Sequence, residues 1–183
     1  MIIWINGAFG SGKSSVAEAI SLRIQESFVY DPEQVGYFLW DNFPENLKRK
    51  GCFQSLPIWR EFNYKILGHI SNNYSGTIIV PMTVYNRQYY DEIIGSLVGD
   101  GITVKHFILS ATRETVLARL LGRGESADSW AAQHIDLCID AYDRDITEVK
   151  IVTENRSVDD IASEILELSG CAAAACRSSS RNN

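Results

Sequence analysis

The sequence has few of the patterns that mark metal-binding, membrane-spanning or secreted proteins. Its four cysteines form no CxxC pair and have no histidine partner at zinc-ligand spacing, so we expect free thiols in a reducing, cytoplasmic compartment. No apolar run approaches the length of about 18 residues that crosses a bilayer. Because an apolar strand is predicted to begin at residue 2, we also expect no cleavable leader ahead of the fold.

Positive charge is also scarce. The chain has 17 Lys and Arg against 23 Asp and Glu, a net charge of −6. Its short basic run Lys48-Arg49-Lys50 is interpreted as a solvated turn. Because nucleic-acid binding needs a basic stripe, we predict no nucleic-acid partner. The guanine-selecting Asn-Lys-x-Asp motif of GTPases is absent too, since Asn155-Arg156-Ser157 does not match it.

A phosphate-binding loop is present near the start of the chain. Residues 7–14 read Gly-Ala-Phe-Gly-Ser-Gly-Lys-Ser and follow the apolar run Ile2-Ile3-Trp4-Ile5, ahead of a helix-patterned stretch. In this context we expect the loop to bind ATP, with Lys13 on the β- and γ-phosphates and Ser14 on Mg²⁺. The predicted cofactor-binding residues are Gly7, Ala8, Phe9, Gly10, Ser11, Gly12, Lys13, Ser14 and Ser15.

Five short apolar strands alternate with helix-patterned segments along the chain. This order predicts an α/β P-loop NTPase with a five-stranded parallel sheet, helices on both faces and a lid, as in nucleoside monophosphate kinases. We expect one kinase-like domain over residues 1–169. Its parts are an acceptor-covering region at about 37–70 and a lid at about 119–145, and a disordered tail follows at 170–183.

Two arginines of the predicted lid are candidates for catalysis. Arg119 and Arg123 are four residues apart and therefore lie on one helix face, next to the flexible glycines Gly122 and Gly124. Guanidinium groups at such positions can close over a triphosphate and stabilise the charge of the transferring phosphoryl group. Arg144 is a third candidate. The alternative is a solvated helix end, where cations are favoured by the helix dipole.

Asp31 is the acid that follows the second predicted strand. There it could accept the proton of an attacking hydroxyl or hold a water molecule of Mg²⁺, and the alternative is a turn-forming Asp before Pro32. The third strand departs from many P-loop proteins, because it ends in Val80-Pro81-Met82-Thr83 without an acid. Without that acid, the expected ligands of Mg²⁺ are the Ser14 hydroxyl, phosphate oxygens and water molecules. Asp31 joins them in one of its two proposed roles, by holding one of these waters.

Residues 37–64 hold eight of the nineteen aromatic residues of the chain. In small-molecule kinases the region after the second strand covers the acceptor, so we predict a pocket for a ring-bearing or partly lipidic acceptor, with Phe38 and Trp59 among its contacts. Arg60 could bind an acceptor anion or pair with Glu61 or Asp31. The alternative is that these aromatic residues pack the core.

Several separated segments resemble the bacterial ATP-binding tunicamycin resistance proteins. The matching segments are residues 1–13, 28–33, 79–83, 129–133 and 135–136, and the resemblance extends over roughly residues 1–168. It implies an ATP-binding protein of the P-loop kinase class that protects against tunicamycin, a fatty-acylated antibiotic that contains uridine. Val80-Pro81-Met82-Thr83 then becomes a feature of the group.

Two main functions follow from these observations. The first is Mg²⁺- and ATP-dependent phosphorylation of tunicamycin or a related small molecule, with Lys13, Asp31, Arg119 and Arg123 as catalytic residues. The second is an ATP-dependent protein that sequesters the drug without phosphoryl transfer, which the missing acid on the third strand favours. Peripheral membrane contact has little support because the last predicted helix is acidic. A third alternative, phosphorylation of a nucleoside or sugar metabolite, uses the same site.

Overall fold

A computed structural model describes residues 1–48 and 52–171. Its five strands form one parallel sheet in the order β2-β3-β1-β4-β5. The strands are β1 (Ile2–Gly7), β2 (Ser27–Val29), β3 (Thr77–Pro81), β4 (Val104–Ser110) and β5 (Val149–Val152). All six residues of the central strand β1 are buried, as expected for a parallel sheet covered on both faces. The predicted α/β architecture is confirmed.

Helices connect the strands. They are α1 (Lys13–Ser21), α2 (Glu33–Asn42), α3 (Pro57–Asn73), α4 (Arg87–Tyr90), α5 (Ser96–Gly99), α6 (Arg113–Gly122), α7 (Trp130–Gln133), α8 (Ile135–Arg144) and α9 (Val158–Ser169). A π-helical stretch, Asp91–Gly95, joins α4 to α5, and 3₁₀ turns lie at Glu45–Leu47 and Phe53–Ser55. Within the described ranges, no helix is long and apolar enough to cross a membrane.

The two faces of β1 belong to different parts of the core. Ile3 and Ile5 pack in a cluster with residues of α1 and α9, whereas Ile2 and Trp4 pack in a cluster with residues of α2, α3 and α5. Successive side chains of a strand point to opposite faces, which explains this division. A third cluster joins the phosphate loop and β4 to α6, α7 and α8, and so places the lid segment against the loop.

Some boundaries differ from the sequence prediction. Residues 33–42 form helix α2, although the aromatic-rich segment gave no clear helical pattern. The sequence pattern predicts one helix from about Trp130 to Tyr142, whereas the structure divides this segment into α7 and α8 at His134. Ser157 and Asp160 have the spacing of a capping box for the last helix. The Ser157 hydroxyl accepts a hydrogen bond from the backbone N–H of Asp160 (3.1 Å), which confirms this cap of α9.

Parts of the sequence prediction fall on residues that the structure does not describe. The tail predicted at 170–183 lies almost entirely outside the described residues, which end at Cys171, and the basic run at 48–50 extends into the first gap. Within the described ranges, Cys52, Cys138 and Cys171 are free thiols. Cys176 lies outside those ranges.

Candidate functional site

The phosphate loop follows β1 and has the backbone that its glycines predict. Gly7, Gly10 and Gly12 have φ values of +143°, +84° and +100°, which side-chain-bearing residues rarely adopt. At Gly7 a Cβ atom would also lie 2.6 Å from the Ser11 Oγ and 2.8 Å from the Leu109 carbonyl oxygen. The loop then leads into the N-terminus of α1, where Ser14 and Ser15 are exposed. This arrangement is suited to bind an anion.

Asn6 fixes the start of the loop from beneath. Its buried Oδ1 accepts hydrogen bonds from the Gly7 N–H (3.0 Å), the Val84 N–H (2.8 Å) and the Tyr142 hydroxyl (2.7 Å). Its Nδ2 donates to the Val84 carbonyl oxygen (2.8 Å). One side chain thus ties the loop to the segment after β3 and to α8. The sequence analysis missed this role, although a polar residue at the end of a buried strand is a usable signal.

A series of hydrogen bonds between buried polar residues supports the phosphate loop from the side of the aromatic-rich segment. The Thr83 hydroxyl donates to the Gly7 carbonyl oxygen (2.8 Å), and the Gln54 Nε2 donates to the Thr83 carbonyl oxygen (2.8 Å). The Arg60 Nη1 donates to the Gln54 carbonyl oxygen (2.5 Å), while its Nε donates to Glu92. The segment that follows β3 therefore supplies a hydroxyl that holds the loop, close to the place where many P-loop proteins have an acid.

Arg60 is only 4% exposed, and its ion-pair partner is Glu92. The predicted alternatives, pairing with Glu61 or Asp31, are therefore wrong, since Lys65 pairs with Glu61. In this conformation the Arg60 guanidinium stacks on the Tyr89 ring, with 4.3 Å from its Cζ to the ring centroid. The guanidinium is consequently occupied by protein groups.

Lys13 folds back onto the loop that it follows. Its Nζ donates to the carbonyl oxygens of Gly7 (3.1 Å) and Ala8 (2.9 Å) and lies 5.8 Å from the centroid of the Phe9 ring. Burial lowers the pKa of Lys13 to about 8, because desolvation disfavours the charged form. Phosphate oxygens could replace these two carbonyl oxygens as its partners without a large movement of the side chain.

A cavity of about 640 Å³ opens beside the loop. It brings together Lys13, Ser14, Asp31 and Arg123 of the predicted site. Phe9 and Gly10 of the loop also line it, as do Glu33 at the start of α2 and Thr83 after β3. Cationic groups, a hydroxyl and carboxylates therefore surround one space at the carboxyl ends of the strands, where parallel sheets place their ligands.

Arg119 does not line this cavity. Its Nη1 donates to the Ser11 carbonyl oxygen (3.3 Å) and the Thr153 hydroxyl (3.0 Å), and its Nη2 donates to the Thr153 carbonyl oxygen (3.0 Å). In this conformation the guanidinium joins the phosphate loop to the end of β5. Arg144 pairs with Asp140 on the exposed side of α8 and likewise does not line the cavity.

A smaller cavity of about 160 Å³ adjoins the first one. Its walls are largely aromatic, and its lining residues are Phe9, Glu33, Tyr37, Trp40, Cys52, Phe53, Gln54, Met82 and Trp130. The Trp40 and Phe53 rings meet edge to face, with centroids 5.2 Å apart. Within the described residues, the buried Trp40 Nε1 has no hydrogen-bond partner. The pocket therefore offers aromatic ring faces to a ligand.

The two aromatic residues predicted to contact an acceptor lie elsewhere. Trp59 is fully buried, and its Nε1 donates to the Pro32 carbonyl oxygen (3.0 Å), so it packs the core under α2. Phe38 is 57% exposed and lines neither cavity. Tyr37 and Trp40 of the same helix line the small cavity instead. The composition of the segment indicated an aromatic pocket but could not identify which rings form it.

The lid segment touches the loop through an aromatic contact. Phe9 and Trp130 meet edge to face with ring centroids 4.9 Å apart, and Trp130 stacks on His134 at 4.0 Å. The His134 Nδ1 also lies 2.7 Å from the Trp130 carbonyl oxygen. The N-terminal end of α7 is therefore positioned directly above the phosphate loop, and its tryptophan forms a wall of the small cavity.

Comparison with known proteins yields no matching family profile and no matching curated protein. Solved structures do match. The Deinococcus radiodurans tunicamycin resistance protein is 28% identical, with a TM-score of 0.81 over 94% of this chain and 97% of that one. A Sinorhizobium meliloti gluconokinase is 17% identical, with a TM-score of 0.62 over 90% and 89% of the two chains.

The Mycobacterium tuberculosis APS kinase, in complex with AMPPNP and APS, is 17% identical, with a TM-score of 0.61 over 92% of this chain and 96% of that one. At such identities the two kinases establish the fold alone. Together these likenesses confirm the predicted fold class and the predicted resemblance. The chain has the fold of the P-loop kinases and is similar, over nearly its whole length, to a bacterial tunicamycin resistance protein.

Proposed function

We propose that this protein binds Mg²⁺-ATP and transfers the γ-phosphoryl group to tunicamycin or a related ring-bearing small molecule. One observation carries the proposal: the cavity beside the phosphate loop adjoins a second, aromatic cavity across Phe9 and Glu33. A nucleotide and an acceptor can therefore occupy neighbouring spaces. The similarity to a tunicamycin resistance protein supports the choice of acceptor, and the free thiols support a cytoplasmic location.

The phosphate loop binds and positions the phosphates of the nucleotide. Its backbone N–H groups and the N-terminus of α1 bind the phosphates, and Lys13 exchanges its two loop carbonyl partners for β- and γ-phosphate oxygens. Arg123, exposed at the end of α6, adds positive charge from the lid side of the same cavity. Arg119 contributes by holding Ser11 of the loop in place. Charge neutralisation and positioning are the main requirements of phosphoryl transfer.

The residues around the loop fit a magnesium ion that keeps most of its water. Ser14 offers a hydroxyl, Asp31 offers a carboxylate, and both line the cavity that would hold the phosphates. Mg²⁺ prefers oxygen ligands and commonly retains several waters, so few protein ligands are needed. When bound, the ion would neutralise charge on the β- and γ-phosphates.

The aromatic cavity binds the small molecule that accepts the phosphoryl group. Tyr37, Trp40 and Phe53 from one wall and Trp130 from the lid can stack on or enclose a ring. At about 160 Å³ the cavity suits one ring of a larger molecule.

Tunicamycin-dependent formation of ADP tests the proposal. We expect the wild-type protein to produce ADP faster with tunicamycin than without it, and Lys13→Ala to lose this stimulation by at least about 100-fold. Lys65→Ala is a matched control, since Lys65 is exposed on α3 and pairs with Glu61. Saturable tunicamycin binding with no stimulated ADP formation would contradict the proposal and would favour the sequestering alternative.

A further inference from the structure

Two carboxylates at the start of α2 could receive a proton from an acceptor, and they differ in what they already bind. The Asp31 Oδ1 accepts a hydrogen bond from the Glu33 backbone N–H (2.9 Å), and its Oδ2 accepts one from the Gln34 Nε2 (3.1 Å). Asp31 therefore caps the first turn of α2. Both of its oxygens are engaged in fixing this helix, which limits their freedom to follow a reacting hydroxyl.

Glu33 occupies a different position. Its side chain is half-buried and lines the cavity beside the phosphate loop as well as the aromatic cavity. Among the described residues that line these two cavities, only Phe9 and Glu33 are common to both. A hydroxyl that passes from an acceptor in the aromatic cavity towards a γ-phosphate must cross this boundary. Glu33 is the ionisable member of that pair.

We infer that Glu33, rather than Asp31, receives the proton of the acceptor hydroxyl, an inference that rests on the proposed function. In this step the acceptor O–H bond breaks and the proton moves to the Glu33 carboxylate. The acceptor oxygen forms a bond to the γ-phosphorus of ATP, the bond from that phosphorus to the β,γ-bridging oxygen breaks, and ADP leaves. Asp31 keeps the capping role and remains available to a water molecule of Mg²⁺.

The electrostatics of the site agree with this assignment. Burial raises the pKa of Glu33, and the nearby negative charge of Asp31 raises it further, while the Lys13 ammonium and a hydrogen bond from the Tyr37 hydroxyl lower it. A carboxylate with a raised pKa is a stronger base than an exposed one. Asp31 thus promotes the basicity of its neighbour in addition to capping α2.

The test compares Glu33→Gln with Asp31→Asn in tunicamycin phosphorylation. We expect Glu33→Gln to lower kcat by at least about 100-fold, because proton transfer to a positioned base contributes roughly that much or more. ATP affinity should change by less than about threefold, which also shows that the variant is folded. Asp31→Asn can still accept the Glu33 N–H bond and should lose less than about tenfold. Glu167→Gln, exposed near the end of α9, is the control.

The pH profile separates a base from a merely structural residue. Wild-type kcat/KM should fall as the pH drops through the raised pKa of Glu33, and this acidic limb should be absent in Glu33→Gln and present in Asp31→Asn. Glu33→Asp, which keeps a carboxylate, should recover part of the lost rate. A Glu33→Gln rate within about threefold of wild type, or an acidic limb that survives in it, would overturn the assignment alone. A wild-type protein that binds the drug but leaves it unchanged would overturn the proposed function, and this assignment with it.

Discussion

At the scale of single residues, the site depends on side chains that hold the phosphate loop as much as on those that face a ligand. Asn6 accepts three hydrogen bonds at one buried oxygen, and Thr83 donates to the Gly7 carbonyl oxygen. Buried polar groups are costly when unpaired, so these fully paired ones favour a single loop conformation. The loop is thereby preorganised for an anion.

Lys13 makes nucleotide affinity depend on pH. Because burial lowers the pKa of the free protein's Lys13 to about 8 and bound phosphates would raise it, binding must take up a proton above that pH. We expect the Kd for ATP to rise up to about tenfold per pH unit between pH of about 8 and 9.5, measured calorimetrically at constant ionic strength.

Lys13→Arg provides the control, since its guanidinium stays charged throughout this range. Its Kd for ATP should be weaker than that of wild type but nearly independent of pH. An equally flat profile for the wild-type protein would show that Lys13 keeps its ordinary pKa or does not contact the nucleotide.

The residues of the loop could be predicted from the sequence because each residue type of the motif has a definite role. The glycines allow positive φ, the lysine binds phosphate and the hydroxyl binds Mg²⁺. The contacts of Arg60 and Trp59 could not. Their types suit a ligand and a core equally well, and only the path of α3 decides that Arg60 pairs with Glu92 and that Trp59 lies under α2. Glu33 was missed because Asp31 alone marked the end of the strand.

At the scale of elements, the lid segment and the loop form one unit. Phe9 belongs to the loop and Trp130 begins α7, yet their rings meet at 4.9 Å and both line the aromatic cavity. Val116 and Leu120 of α6 pack in the same cluster as Ile135 of α8. A ligand in the aromatic cavity would therefore contact the lid and the loop together, which couples acceptor binding to the position of α7.

Trp130→Ala tests this coupling. Removing the ring deletes one wall of the aromatic cavity and the contact with Phe9, so we expect the tunicamycin KM to rise about tenfold, which corresponds to the energy of an aromatic contact and its burial. The Kd for ATP should change by less than about threefold. Steady-state kinetics together with nucleotide titration separate the two effects.

Leu137→Ala is the matched control for this substitution, because Leu137 lies exposed on α8 and lines neither cavity. It should leave both constants near their wild-type values. If Trp130→Ala weakened ATP binding as much as it raised the tunicamycin KM, the aromatic cavity would not be a separate acceptor site.

The order of the elements was largely predictable, because five apolar runs alternate with helix-patterned segments and parallel strands need helical connections. The residues at which the strands and helices begin and end were less predictable. β2 is a three-residue edge strand, and its short pattern gave little sign that α2 begins only four residues later, at Glu33. The break between α7 and α8 lies at His134, whose ring stacks on Trp130 four residues earlier in the chain.

At the scale of the whole molecule, strand β4 carries a buried histidine, His106, that lines neither cavity. His106 lies in β4, is 8% exposed and packs near the Tyr90 ring, with centroids 5.4 Å apart. Neither ring nitrogen has a hydrogen-bond partner within the described residues. Burial lowers the pKa of His106 to about 3, so it stays neutral in the folded protein at ordinary pH.

This burial links folding stability to pH. In the unfolded chain the imidazole has its ordinary pKa of about 6.5, so between pH of about 6.5 and 3 the unfolded state binds more protons than the folded state. The free energy of unfolding is therefore expected to fall as the pH drops through this window, by up to about 1.4 kcal/mol per pH unit from this group.

Urea unfolding at pH of about 7 and 5 measures the effect, with His106→Phe as the comparison. The substitution removes the titrating group, so the loss of stability on acidification should be smaller in the variant than in wild type, whatever its stability at neutral pH. Equal losses in the two proteins would show that His106 is accessible to protons in the folded state.

The central proposal is that two adjoining cavities allow this protein to phosphorylate a drug-like acceptor. Mass spectrometry of tunicamycin recovered after incubation with the protein, ATP and Mg²⁺ tests this proposal most directly. We expect a gain of one phosphoryl group that is abolished by Lys13→Ala and retained by Lys65→Ala. Recovery of tunicamycin with unchanged mass, under conditions where the protein binds both ATP and the drug, would contradict it.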